Sequence, residues 1–172
     1  MGISNFKNFF VFKFENGINR IFLEALTKAI NILIDFIYAI KRGKINPRNK
    51  KVLIIGAGGA ARAVVYGLRK EGAKITIVNR AENKAKELAE EFKVDFDKME
   101  NIKSLTRLTD IIINATSLGM APFEDGCALK EDELTKGKIV MDIVYKPVNT
   151  KLIRMAKKKG CKTVTGDRML IY

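Results

Sequence analysis

Histidine is absent from this chain of 172 residues. That removes every mechanism needing an imidazole within this chain, including Ser-His-Asp and Cys-His nucleophilic catalysis. Proton transfer is left to Lys, Asp, Glu, Tyr or a thiol. Cysteine is scarce as well, with only Cys127 and Cys161. No CxxC pair and no Cys/His ligand set exists, which argues against a structural zinc site. Both thiols read as small packed hydrophobes in a reducing, cytoplasmic setting. The N-terminus lacks the charged segment, apolar core and cleavage site of a secretory signal. The most apolar run, residues 29–40, is too short to span a bilayer and contains Asn31 and Asp35. No membrane partner is expected. Internal repeats and low-complexity segments are also lacking. Acidic residues are few beside the basic ones, 19 against 32, for a net charge of +13. Such a balance attracts anions without choosing among them. No nucleic-acid motif accompanies it, so no nucleic-acid partner is expected.

What is present divides in two. In residues 1–45, Ile18, Phe22, Leu26, Ile30, Leu33, Ile37 and Ile40 recur at steps of three and four. This spacing predicts an amphipathic helix whose wide apolar face needs a partner, either the following domain or a second copy through residues 18–40. From residue 46 to 172 the pattern alternates between apolar strands and helices. Strands are expected at 52–55, 74–78, 94–96, 110–114, 139–144 and 162–164, and helices at 60–70, 82–92 and 149–159. Apolar strands alternating with helices imply a parallel sheet covered on both faces.

The first strand runs into G-A-G-G-A-A-R-A, residues 56–63. Gly56 permits a tight turn and Gly58 allows close backbone approach to a pyrophosphate. The small Ala61 lets the helix pack on the strand. The helix N-terminus offers free amides and a partial positive charge to phosphate. The second strand ends in Val78-Asn79-Arg80-Ala81, with Lys84 one turn on. An NAD site usually places an acid there. Arg80 and Lys84 can instead meet a 2′-phosphate, which favours NADP over NAD. The expected fold is therefore a Rossmann-type, doubly wound α/β parallel sheet with an appended N-terminal helix.

Four stretches, G-A-G-G-A-A-R-A (56–63), N-A-T-S-L-G-M (114–120), D-I-V-Y-K-P (142–147) with Thr150 and Leu152, and G-D-R-M-L (166–170), join Asn79-Arg80 in one pattern. Together they resemble the NADP-binding domain of the shikimate dehydrogenase family over roughly residues 45–172. The resemblance implies that Gly56, Ala57, Gly58, Gly59 and Ala60 line the pyrophosphate. It implies that Asn79, Arg80 and Lys84 hold the adenosine 2′-phosphate. Asn114, Thr116 and Ser117 would lie along the cofactor, Gly166 and Met169 would border the nicotinamide, and Tyr145 would face the substrate cleft. A half-buried tyrosine at the sheet end is the other reading of Tyr145.

Departures from the family are as informative. Ala81 stands where a Thr or Ser is usual, and Lys146 where an Asn usually precedes the proline. Residues 1–50 do not reproduce the serine pair or the lysine motif of the family's substrate domain. Residues 14–26 look like a worn form of its N-T-D-G stretch, with Asn16 at the aspartate's position. Two functions stay open on the sequence. One is NADPH-dependent reduction of 3-dehydroshikimate to shikimate, in the chorismate route to aromatic amino acids, with a substrate domain supplied from elsewhere. The other is a catalytically inactive NADP-binding module or sensor.

Overall fold

A computed structural model describes residues 45–166. The expected helix over 18–40, its self-association surface and Met169 lie outside the described residues. The chain enters at Ile45, which packs in the core, and reaches β1 (Lys51–Ile55). Four of its five residues, Val52 to Ile55, are buried, with only Lys51 exposed. Burying each such side chain contributes about 1.5–3 kcal/mol, which fixes β1 at the centre of the molecule. It is followed by α1 (Gly59–Lys70), β2 (Lys74–Val78), α2 (Glu82–Phe92) and β3 (Asp95–Asp97). Then come α3 (Ile102–Leu108), β4 (Ile111–Asn114), β5 (Ile139–Asp142), α4 (Lys151–Lys158) and β6 (Lys162–Val164).

All six strands are parallel, in the order β3-β2-β1-β4-β5-β6. That is the Rossmann-type doubly wound sheet expected from the sequence, reversing direction of growth between β1 and β4. Side chains alternate across it. Val52 and Ile54 pack with Ala61, Val64, Leu68 and Leu88 of α1 and α2. Leu53 and Ile55 pack on the opposite face with Ile102, Leu152 and Ala156 of α3 and α4. A strand buried on both faces must read as a continuous apolar run, which is how residues 52–55 were recognisable.

Three differences from expectation have local causes. Helix α3 and the single 3-10 turn before it, Met99–Asn101, had no counterpart in the sequence reading. In α3 the buried positions are Ile102 and Thr106, whereas Leu108 is 65% exposed, so hydrophobic periodicity misleads there. Strand β5 stops at Asp142 rather than Val144, because the Asp142 carboxylate accepts the Val144 N–H at 3.0 Å and turns the chain inward. Helix α4 begins at Lys151 rather than near Asn149, since Thr150 caps it by accepting the Ile153 N–H at 3.2 Å.

Candidate functional site

The carboxyl ends of β1, β4, β5 and β6 meet at one edge of the sheet, where an open doubly wound fold places its ligand crevice. The β1–α1 turn is built on Gly56. Its φ is +115°, and a Cβ there would sit 2.8 Å from the Ala115 carbonyl oxygen and 3.0 Å from Thr116 Cγ2. Only glycine lets β1 turn this tightly against the end of β4. Gly58 and Gly59 differ, for a Cβ at either would meet nothing within 4 Å. Both are exposed, and Gly58 is the N-cap of α1 without a side-chain capping bond. The first amides of α1 are therefore left to an external acceptor.

Beside this turn lies an open cleft of about 260 Å³, lined by Ala57, Gly58, Asn79, Arg80, Ala81 and Lys84. It brings together five of the expected cofactor-site residues. Asn79 closes the β2–α2 turn by donating from Nδ2 to the Ala81 carbonyl at 2.9 Å. Arg80 and Lys84 are exposed and form no salt bridge among the described residues. Ala81 is the N-cap of α2 and supplies no side-chain cap. The cleft thus combines open glycine backbone, two cations and the uncapped starts of two helices. That donor set suits a phosphorylated ligand, and the space a Cβ would fill at Gly58 suits a pyrophosphate passing close to the backbone. Gly59 and Ala60 sit at the start of α1, outside the cleft lining.

The other half of the edge is held by a buried polar network. Asn114 is 1% exposed, and its Nδ2 donates to Asp142 Oδ1 at 2.9 Å and to the Leu118 carbonyl at 3.2 Å. Its Oδ1 accepts from the Thr116 hydroxyl at 2.6 Å and the Thr116 N–H at 3.1 Å. Both ends of the Asn114 amide are spent inside the protein. Asp142, fully buried, also accepts the Val144 N–H at 3.0 Å and, through Oδ2, the Thr150 hydroxyl at 2.7 Å. Burial pushes its carboxyl above the usual range, opposed by the bonds from Thr150, Val144 and Asn114. Asp142 and Thr150 entered the sequence reading only as letters of a motif. The signal available was an acid ending an otherwise apolar strand.

Ser117 is exposed in the loop after β4, and its carbonyl accepts the Met120 N–H at 3.1 Å. Tyr145 follows β5 at this edge and is 48% exposed, which fits both a side chain facing a substrate cleft and a half-buried tyrosine at the sheet end. Gly166 is buried, and a Cβ there would run into the Val144 carbonyl oxygen. It therefore seats the end of β6 against the end of β5. Among the described residues no cluster of His, Cys, Asp or Glu is arranged to hold a metal ion. No described helix is long and apolar enough to cross a membrane.

Comparison with known proteins gives a consistent result. The sequence model of the family described as shikimate / quinate 5-dehydrogenase matches residues 39–153. The shikimate dehydrogenase (NADP(+)) of Methanosarcina acetivorans is 43% identical over 141 residues, covering 78% of this chain and 50% of that protein. Crystallised shikimate 5-dehydrogenase from Listeria monocytogenes, in complex with shikimate and NAD, superposes with a TM-score of 0.75 at 31% identity, over 81% of this chain and 53% of that one. The Thermus thermophilus enzyme in complex with NADP(H) and shikimate gives 0.72 at 33% identity, over 81% and 51%. The chain thus spans about half the length of the relatives it matches.

Proposed function

Because this chain belongs to the shikimate / quinate 5-dehydrogenase family, we propose that it is the NADP(H)-binding half of a shikimate dehydrogenase. In that reading it takes part in the NADPH-dependent reduction of 3-dehydroshikimate to shikimate. The observation that carries the proposal is the cleft at the β1–α1 turn, where Gly58 faces open space beside Arg80 and Lys84. The curated relatives are named for NADP, whereas one superposing structure holds NAD. The absence of an acid at the end of β2, with Arg80 and Lys84 in the lining, supports NADP here.

Bound NADPH supplies the hydride, and the protein's task is to hold it in line with the substrate. Ala57, Gly58 and the first amides of α1 would receive the pyrophosphate. Asn79, Arg80 and Lys84 would receive the adenosine 2′-phosphate by charge-assisted hydrogen bonds. Thr116, Ser117 and Gly166 would flank the nicotinamide from the ends of β4 and β6. Tyr145, just beyond β5, would form one wall of the substrate site. The substrate-binding half comes either from further residues of the polypeptide or from a second chain. In that reading the chain would divide into an N-terminal helical segment over residues 1–45 and the cofactor domain over 46–172.

Shikimate-dependent NADP⁺ reduction tests this, with the chain alone and mixed with the substrate-binding half of a relative. Turnover in either mixture supports the proposal. NADPH binding without turnover in both would leave a binding module and overturn the enzymatic part.

A further inference from the structure

We infer that Asp142 is a positioning residue for the nicotinamide half of the cofactor site. It rests on the NADP(H) reading above and goes further, because it names the group that aligns two loops and a helix start. Asp142 is not among the residues that line the cleft. Instead it accepts hydrogen bonds from three separate segments: Asn114 at the end of β4, Val144 beyond β5, and Thr150 at the cap of α4. Each segment leads to a part of the edge. Asn114 holds Thr116 by two bonds, at 2.6 and 3.1 Å, and Thr116 packs beside the Gly56 turn. Val144 precedes the exposed Tyr145, and its carbonyl is the surface on which Gly166 rests. Thr150 supports the loop after β4, since a Cβ on Gly119 would lie 3.2 Å from Thr150 Cβ.

A carboxylate suits this place because all three contacts are donors and it is an acceptor only. An asparagine can keep the two donors on one oxygen. Its amide nitrogen then faces Thr150 Oγ1, whose proton loses its acceptor. Asp142 and Thr150 are buried, at 0% and 1% exposure, so the hydroxyl has no bulk solvent to turn to. The consequence is confined to one half of the edge. Of the residues that line the cleft, Arg80 and Lys84 stand on the β2–α2 side, and β1 and β4 separate β2 from β5. At a strand spacing of about 4.8 Å, that puts the Arg80–Lys84 side of the cleft roughly 14 Å from the strand that carries Asp142.

The experiment uses the full chain, the variant Asp142→Asn and two probes. NADPH spans both halves of the site, whereas adenosine 2′,5′-bisphosphate reaches only the half with Arg80 and Lys84. Asp142→Asn should weaken NADPH by about tenfold and leave the bisphosphate within about twofold of wild type. Thr150→Ala removes the same donor and should reproduce the selective loss, and Thr150→Ser should restore wild-type binding. This second pair carries the test if Asp142→Asn does not fold. Equal weakening of both probes would make Asp142 a residue of general stability and overturn the inference. Unchanged NADPH binding would overturn it too. A wild-type chain that binds neither probe would instead sink the cofactor reading itself.

Discussion

Gly56 and Gly58 lie two residues apart, yet alanine at each should have opposite effects. Gly56→Ala adds a methyl where φ is +115° and where the Ala115 carbonyl oxygen and carbon would lie 2.8 and 2.9 Å from it. Neither backbone can move freely. The Ala115 N–H is bonded to the Ile55 carbonyl and the Gly56 N–H to the Val78 carbonyl, both at 2.8 Å. The left-handed conformation costs about 1–3 kcal/mol. Overpacking adds about 1–3 kcal/mol. The total of roughly 2–6 kcal/mol is a large part of the 5–15 kcal/mol typical of a domain. At about 3 °C per kcal/mol, the melting temperature should fall by roughly 6–18 °C. Gly58 has φ −89° and open space where its Cβ would go. Alanine there should cost the free protein less than about 1 kcal/mol. It should intrude on the bound pyrophosphate by about 1–3 kcal/mol, a loss of roughly 5- to 150-fold in NADPH affinity. Thermal unfolding without ligand and NADPH titration separate the two. The reasoning is refuted if Gly58→Ala unfolds as early as Gly56→Ala, or binds NADPH like wild type.

Arg80→Ala should weaken NADPH by roughly 10- to 100-fold and leave NADH almost unchanged, as measured by calorimetric titration; equal losses would place Arg80 away from the 2′-phosphate. Ala81→Ser supplies the cap that α2 lacks and should raise stability by about 0.5–2 kcal/mol in urea unfolding. No gain would mean that the α2 amides are already satisfied. Burial holds the native Asp142 carboxyl above its ordinary value. The folded state then keeps a proton that the unfolded chain has lost, so stability falls as pH rises through that interval. The urea midpoint of wild type, relative to Asp142→Asn, should therefore drop from acid toward neutrality. A relative rise would contradict the sign.

The parallel architecture was legible because β1, β4 and β5 are buried on both faces and read as unbroken apolar runs. The cleft was legible because glycine spacing and the Asn79-Arg80 step are local signals, each contained in a few residues. Helix α3 was not, since its buried Thr106 and exposed Leu108 invert the usual polarity of a helix face. The Asp142 network was not legible either. Its partners Asn114 and Thr150 lie 28 and 8 residues away, and only the fold brings them within 3 Å. Thr150 also shows how a cap sets a boundary that periodicity places two residues too early.

The most direct measurement is a titration of the full chain with NADPH and NADH, followed by nicotinamide fluorescence. The account predicts saturable binding of both, with NADPH the tighter ligand, as the Gly58 cradle and the Arg80–Lys84 pair require. Tighter binding of NADH, or no binding of either, would contradict it.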